Sequence, residues 1–535
     1  MATPKSKVLK EVRVPVGDLF SGTAAATLIS STHTEELVVA LCGPIGSPLH
    51  AVASKLKDML ENSFGYEACS IIRLSDFIQK YSSSVGISIP TTQGFERIDE
   101  QINAGNKLRA KHGASILAEL AVNEIRLGRE QHKVEHATAQ YKPRRVCHII
   151  DSVKNQEEME LLRLVYREMV YFVGVSVPID AREANLRAKG LVAGDVYRLF
   201  DRDSGEESRT GQTVRDTFPQ CDFFLRMETD TDAQLTKRVE RFLRLVLGVA
   251  IVTPTAHEAA MYAAASAASN SACLSRQVGA AITDEAGRLL AVGWNDVPRF
   301  DGGLYASDLG DAAGEHDERC WNRDGGKCFN DDEKTLFAEI LVKEIGDLID
   351  EDKQEEARRR LNNCSKLRGL IEFSRSVHAE MHAIINAGKV VGDRLRGGKM
   401  FVTTYPCHSC ARHIIAAGIR EVYYIEPYRK SLAIKLHGDA MSEKDHDSGK
   451  VRVLSYEGVA PSKYLALFRM APDSRKKDGR LRRVSPKTSA PRLEKSLEAL
   501  PTLEALVVKS LERKNLLPLA AEVSGEAGSS PTTSA

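Results

Sequence analysis

The chain has 535 residues, 42% of them hydrophobic and 27% charged, with a net charge of +1. That length suits two or three domains with separate cores, and the near-zero charge advertises no field for a nucleic acid or a membrane surface. Ten cysteines over this length do not make a secreted disulfide scaffold, so a reducing cytoplasm is expected. The start, MATPKSKVLKEVRVPV, lacks the apolar core of a signal peptide, and no apolar run of about eighteen residues suggests a membrane span.

Residues 1–35 are polar and without period, as a flexible leader would be. Leu37–Leu41 reads as a buried strand. Gly43-Pro44-Ile45-Gly46-Ser47-Pro48 follows, then a helix with apolar Val52, Leu56 and Leu60. Strand, glycine loop and helix is the setting a phosphate-binding loop needs. Laid on G-x-x-x-x-G-K-[ST] from Gly43, however, Pro48 stands at the second glycine, Leu49 at the lysine and His50 at the hydroxyl residue. Three readings stay open: catalytic phosphoryl transfer, nucleotide binding through Gly43, Gly46 and Ser47 without efficient catalysis, and a structural turn. Val146–Asp151 is a strand ending in an acid, Glu157–Arg167 a helix and Val170–Val175 a strand. Arg182 and Arg187 lie on a helical stretch that faces either phosphates or solvent. A strand at Asp222–Leu225 and a helix at Leu235–Val246 complete an alternation that favours a parallel sheet. Over residues 36–250 this order resembles the small P-loop kinases of the dephospho-coenzyme-A and nucleoside-monophosphate type. The resemblance is of order and spacing, not of intact catalytic motifs.

Pro254 breaks the chain, and His257–Cys273 is alanine-rich and helical by composition. Val278–Thr283 and Leu289–Val292 flank the turn Asp284–Gly287 as a hairpin. A helix over 377–388 carries His378 and Glu380. The strand Met400–Thr404 delivers Pro406-Cys407-His408-Ser409-Cys410, and the helix His408–Ala417, the strand Glu421–Ile425 and the helix Lys430–His437 follow. His378, Cys407 and Cys410 are ligands that hold zinc and leave a fourth position for water. Glu380, two residues past the histidine, can move protons without binding the metal. This H-x-E then P-C-x-x-C spacing is the signature of zinc nucleobase deaminases. His378-Ala379-Glu380-Met381-His382 is not the H-E-x-x-H of proteases, because its glutamate lies about 100° further round the helix. His408 and His413 read as surface residues, and His382, one turn from His378, packs near the site. Asn295 ends the second hairpin strand and is a candidate for holding sugar or base, or else caps the strand. Tyr424 or Tyr428 could pack on the sugar or in the core.

This half resembles the deoxycytidylate deaminase family over residues 255–460. The stretches that carry the resemblance are Ser275–Ala280, Gly293-Trp294-Asn295, the HAE and PCHSC pair, and Glu426-Pro427-Tyr428. The departure is His382, where that family commonly has asparagine. The resemblance implies Zn2+, a cytidine-deaminase-like α/β/α domain, and hydrolytic loss of ammonia from a deoxycytidine nucleotide. The two halves together resemble bacterial anti-phage deoxycytidine-nucleotide deaminases. That implies dCTP and dCMP as substrates, a homo-oligomer, and restraint by a regulatory nucleotide or an inhibitory RNA. Two alternatives remain: a polynucleotide cytosine deaminase, and a housekeeping dCMP deaminase whose first half is a nucleotide- or RNA-binding switch.

Between Asn295 and Val377 lies an insertion with a loop at Phe300–Tyr305 and helices at Glu333–Gly346 and Lys353–Leu361. His316, Cys320 and Cys328 are either incidental or a second zinc site with Cys364 or a histidine. From 471 a basic run (Arg475, Lys476, Lys477, Arg480, Arg482, Arg483, Lys487) is a solvated linker or a contact for RNA or a nucleotide. A short helix is expected near Leu503–Leu511, and Gly525–Ala535 reads as disordered. The expected plan is α/β throughout: a leader (1–35), a P-loop kinase-like parallel-sheet domain (36–250), the deaminase-like domain (253–470), and a basic linker with a disordered tail (471–535).

Overall fold

The computed structural model describes residues 33–136, 143–203, 211–227, 232–307, 316–427, 431–470, 475–492, 495–496 and 500–517. The leader to residue 32, Tyr428 and Gly525–Ala535 lie outside the described residues.

Five strands of the first half run parallel: β1 (Leu37–Cys42), β2 (Ala68–Arg73), β3 (Val146–Asp151), β4 (Val170–Ser176) and β5 (Phe223–Arg226), in the order β2-β3-β1-β4-β5. A strand central to a parallel sheet is covered on both faces, and every residue of β1 and β4 is buried. Val38, Ala40 and Cys42 meet one helical layer, and Leu37, Val39 and Leu41 the other. Helix α1 (Leu49–Asn62) closes the second face with the stripe Val52, Leu56 and Leu60, as its period requires. Helix α2 (Ile116–Glu135) covers the first face and α3 (Gln156–Tyr166) lies beside it. Helices α4 (Ile179–Arg187) and α5 (Ala193–Asp203) follow β4, and α6 (Asp232–Val246) follows β5.

The sheet also holds a half-buried histidine that bears on pH stability. His148 on β3 meets Ser70 Oγ at 2.8 Å through Nδ1, while its buried Nε2 has no partner. Burial, with the Arg129 and Arg144 guanidiniums nearby, pushes this imidazole down to about 3. The unfolded chain takes up the proton near pH 6.5, the folded chain only near 3, so this contribution to stability is complete above pH 6.5 and is lost as pH falls. The expected loss by pH 4.5 is roughly 3 kcal/mol. Urea midpoints at pH 7 and 4.5 test it: His148→Gln should narrow the gap between them, and an unchanged gap rules the histidine out as its source.

Helix α7 (Ala256–Ala268) opens the second half with a capping box, Thr255 accepting from the Glu258 N–H and Glu258 from that of Thr255. The second sheet is mixed: β6 (Gly279–Thr283), β7 (Leu289–Trp294), β8 (Lys399–Thr404), β9 (Glu421–Glu426), β10 (Met441–Ser442) and β11 (Val451–Ser455) stand in the order β10-β11-β9-β8-β6-β7. β6 and β7 form the expected antiparallel hairpin, while β8, β9 and β11 run parallel. Helix α8 (Ala379–Val391) and helix α9 (His408–Ala416) pack on one face, and α7 packs on the other.

The two halves are not separate bodies. A further strand, β12 (Gly458–Val459), leaves the second sheet and adds antiparallel to β5 at the edge of the first. One apolar core runs through both, from Phe172 and Phe224 to Met261, Phe401 and Tyr423. The segment expected as linker and tail also folds back in part. Helix α10 (Leu500–Arg513) packs on α2 through buried Val507, Val508 and Leu511. There the buried Arg129 pairs with both Glu36 (2.6 Å) and Glu504, and the Tyr166 hydroxyl donates to Glu504 at 3.0 Å.

Candidate metal centre

Two helix N-termini converge on one point. His378 is the N-cap of α8 and Cys407 the N-cap of α9, both with extended backbone, and Cys410 sits in the first turn of α9. The strand-to-helix turn after β8 places Cys407, whose sulfur accepts the Cys410 N–H at 3.4 Å. His378 is delivered from the other side by a bridge between Asp296 and Val377, whose N–H donates to the Asp296 carbonyl at 2.9 Å. His378 Nδ1 then lies 3.4 Å from Cys407 Sγ and 3.3 Å from Cys410 Sγ. A tetrahedral zinc with ordinary bond lengths separates its nitrogen and sulfur ligands by about 3.6 Å. The donor set therefore fits that ion in type and in spacing. Among the described residues, this is the one group of three or more His, Cys, Asp or Glu side chains gathered within 4.8 Å.

The electrostatics suit a thiolate. The hydrogen bond from Cys410, aided by His378, pulls the Cys407 thiol down to about 4 against the effect of burial. The Cys410 thiol, hydrogen-bonded to Cys407 and buried, is raised instead. Helix N-termini favour negative charge at both sulfurs. Glu380 lies in the first turn of α8, is 5% exposed, and does not belong to the trio. Burial, and then the Cys407 thiolate, push its carboxyl above the usual range.

Two glycines explain why the helix can reach this position. A Cβ on Gly293 of β7 would stand 2.3 Å from Ala383 N and 2.6 Å from Ala379 O, on the backbone of α8. A Cβ on Gly279 of β6 would stand 1.9 Å from Ala264 O of α7. Helices lie directly on these strands because the strands offer no side chain there. Gly293→Ala must move the first turn of α8, with an expected cost of about 3 kcal/mol and loss of bound zinc. A melting curve and metal analysis of the purified variant check this, and a fully loaded, equally stable variant would contradict it.

The other expected site residues divide. Asn295 is buried, its Oδ1 accepting the Val278 N–H (2.7 Å) and its Nδ2 donating to the Arg276 carbonyl (2.9 Å). It holds the strand that leads to Arg276 as a cap does, with one donor and one acceptor spent on backbone. His382 is a structural residue: Asn386 Nδ2 donates to its Nε2 (3.0 Å), which leaves Nδ1–H to donate to the Trp294 carbonyl (3.2 Å). Its ring stands edge-on to Trp294 and is held below its usual pKa by burial. His408 faces Glu372 and His413 the Ser409 carbonyl, so neither joins the trio. His316, Cys320 and Cys328 do not gather into a second metal group. A pair that sequence reasoning passed over lies between two of the quoted stretches: half-exposed Arg276 bonds Glu426 at 2.6 Å. Its signal was present, an arginine and a carboxylate in two stretches read as belonging to one site.

In the first half, Gly43, Gly46 and Ser47 do form the turn between β1 and α1, and Gly46 takes a positive φ of 88°. The turn is closed by the chain itself. The Ile45 N–H donates to Asp203 Oδ2 (2.6 Å), and Lys154 pairs with the same carboxylate. Arg182 Nε donates to the Ile45 carbonyl (2.7 Å), and Asn185 to that of Gly46 (2.9 Å). An anion at the Ile45 amide would meet this carboxylate already in place. His50, at the hydroxyl position of the motif, faces Asp151 at 3.8 Å. Arg187 pairs with Glu183 and is 53% exposed, on a solvated face.

Residues 254–426 match the family model described as the cytidine and deoxycytidylate deaminase zinc-binding region, and all four residues of the centre lie inside it. Among curated proteins, the ComE operon protein 2 of Bacillus subtilis is 46% identical over 56 residues, 10% of this chain and 29% of its own length. The deoxycytidylate deaminase of Saccharomyces cerevisiae is 27% identical over 164 residues, 30% of this chain and 35% of its own length. The chain thus spans about a third or less of the curated relatives it matches. A solved dCMP deaminase from the cyanophage S-TIM5, in complex with dCMP and dUMP, is similar at 21% identity and a TM-score of 0.23 over 38% of this chain and 99% of its own. Residues 254–426 thus match the zinc-binding region of the cytidine and deoxycytidylate deaminases, and within them His378, Cys407 and Cys410 form a donor set that could hold a metal ion.

Proposed function

We propose that this chain hydrolytically deaminates free deoxycytidine nucleotides, dCTP or dCMP, to the deoxyuridine nucleotides and ammonia. The observation that carries the reading is buried Glu380 beside the His378, Cys407 and Cys410 trio, inside the region that matches the deaminase family model. Relatives named deoxycytidylate deaminase, from phage T4 and yeast among others, support a nucleotide substrate. Zinc held by the trio would supply a water of lowered pKa for attack on a carbon of the base. The chain's own part is positioning and proton transfer. Glu380 takes the water's proton and passes it to the ring nitrogen N3, then takes the proton of the new C4 hydroxyl and passes it to the amine, so that the C4–N bond breaks to leave a C4 carbonyl and ammonia. Its buried carboxyl binds a proton more readily than a solvated one, as a group that must both accept and donate requires. The reading gives Arg276, half exposed and paired with Glu426, the role of meeting a substrate phosphate.

We assign the first half a regulatory role, because its glycine turn lacks the lysine and is closed by Asp203. The pairing of such a half with a deaminase supports dCTP depletion as an antiviral defence. The ten cysteines, all free, support a cytoplasmic setting, and among the described residues no helix is long and apolar enough to cross a membrane. Incubating the purified chain with dCTP, dCMP, cytidine and single-stranded DNA tests the reading. Ammonia release from the nucleotides is expected, and release from DNA but from none of the free compounds would overturn it.

A further inference from the structure

A cavity of about 370 Å³ lies between the two sheets. It opens where the carboxyl ends of both sets of parallel strands face each other: Ser176 ends β4, Ser455 ends β11, and their hydroxyls are 2.8 Å apart. In the first sheet, β1 leads through α1 to the β2 side and β4 leads through α4 and α5 to the β5 side. The cavity touches Pro44 after β1 and Val177 after β4, so it sits at the topological switch point, where open α/β sheets take their ligands. None of His378, Glu380, Cys407 and Cys410 lines it.

Its chemistry is specific. Three arginines line it: Arg182, Arg215, which pairs with Asp216 at 3.1 Å, and Arg226, which pairs with Asp445 at 2.6 Å; two carboxyl groups line it as well. One of these, Asp203, is already satisfied by the Ile45 amide and Lys154, and the other, Glu443, accepts the Tyr405 hydroxyl at 2.8 Å. Aromatic faces stand among the cations: Arg182 lies 4.1 Å over the Phe200 ring, and Tyr424 stands edge-on to Tyr405. A half-open cavity lined by arginines and aromatic rings fits a flat ring joined to phosphate. Tyr424, which sequence reasoning offered to the sugar at the zinc centre, belongs to this cavity instead.

We propose that this inter-sheet cavity is a second ligand site, separate from the zinc centre, and that it takes a nucleoside phosphate. The proposal deepens the regulatory reading of the first half and rests on it. The site is also wired to the metal loop. Ser431 lines the cavity and donates through Oγ to the Pro406 carbonyl (2.7 Å), one residue before Cys407, and Tyr405 precedes Pro406. A bound ligand would press on the turn that places a zinc ligand.

Calorimetric titration of the full-length, zinc-loaded Glu380→Gln chain with ATP, dTTP and inorganic phosphate tests the site without turnover. At least one nucleotide should bind once per chain, with a Kd below about 1 mM. Its affinity should fall about tenfold or more in Arg226→Ala and in Arg215→Ala, as loss of a charge-assisted contact predicts. Arg215 pairs only with its neighbour Asp216 among the hydrogen bonds and ion pairs described, so its removal does not threaten the fold. No nucleotide binding, binding indifferent to both arginines, or phosphate binding as tightly as the nucleotide would each overturn the proposal. On the unsubstituted chain, the same nucleotide at saturation should shift kcat or KM for deamination, and unchanged kinetics would overturn the regulatory part. Because binding is read without catalysis, failure of the deaminase reading would leave the binding result standing and distinguishable.

Discussion

Glu380→Gln should keep its zinc and lose deamination by about 10²- to 10⁴-fold, the usual worth of a positioned general acid and base. The substitution preserves volume and the ability to hydrogen-bond, so the buried first turn of α8 has no reason to move. It removes only the capacity to carry a proton. Glu380 is not one of the three gathered ligands, so metal content should match that of the unaltered chain. Cys410→Ser should behave in the opposite way: it removes a ligand from a buried trio and should lose the metal along with activity. Metal analysis beside kcat separates the two. Normal turnover by Glu380→Gln, or a metal-free Glu380→Gln chain, would sink the assignment.

Arg129→Ala should be the most destabilising single change outside the metal centre, by about 3–5 kcal/mol. The guanidinium is 4% exposed and stands between the carboxylates of Glu36 and Glu504, 1% and 2% exposed. Removing it leaves two buried carboxyl groups facing each other without a cation. Glu504 is raised by burial already and Glu36 precedes β1, so both the central strand of the first sheet and helix α10 feel the loss. Urea denaturation measures the effect, and proteolysis should cut first near residue 495, where α10 is joined. Arg129→Ala combined with Glu36→Gln and Glu504→Gln should regain part of the loss, because neutral partners cost less to bury than charged ones. A change below about 1 kcal/mol in the single variant would show that the triad does not hold the tail.

Much of the site was legible before any coordinates. Cys407 and Cys410 are three apart at a strand-to-helix turn, so local geometry alone brings their sulfurs together. His378 is distant in sequence, yet its H-x-E spacing puts the glutamate on the same first helical turn. The strands β1, β3, β4 and β8 were readable as short apolar runs bounded by turns, because burial on both faces demands such runs. The stretch from 61 to 145 was not read, and it holds β2 and the long helix α2. β2 alternates buried and exposed residues at a sheet edge, so it lacks the continuous apolar signal of a central strand.

Other features have no local signature at all. That Asn295 spends its carboxamide on Arg276 and Val278 is decided by the hairpin register, not by its type. That Asp203 closes the glycine turn depends on a helix about 160 residues downstream arriving at Ile45. β12 is two residues long and becomes a strand only because the edge of β5 offers unpaired backbone groups. The basic stretch after 471 looks like linker by composition, and α10 becomes part of the fold because α2 offers it both an apolar face for Val507 and Leu511 and Arg129 for Glu504.

The amino-acid sequence by itself determined the gathering of His378, Cys407 and Cys410, the neighbouring position of Glu380 and the two-sheet plan, since each rests on spacing within a turn or a period within an element. The tertiary structure decided that the halves share one core, that the glycine turn is filled from within, and that a cationic, aromatic cavity lies where the sheets meet. Those are relations between residues far apart in the chain, and they exist only once burial has chosen which surfaces face each other.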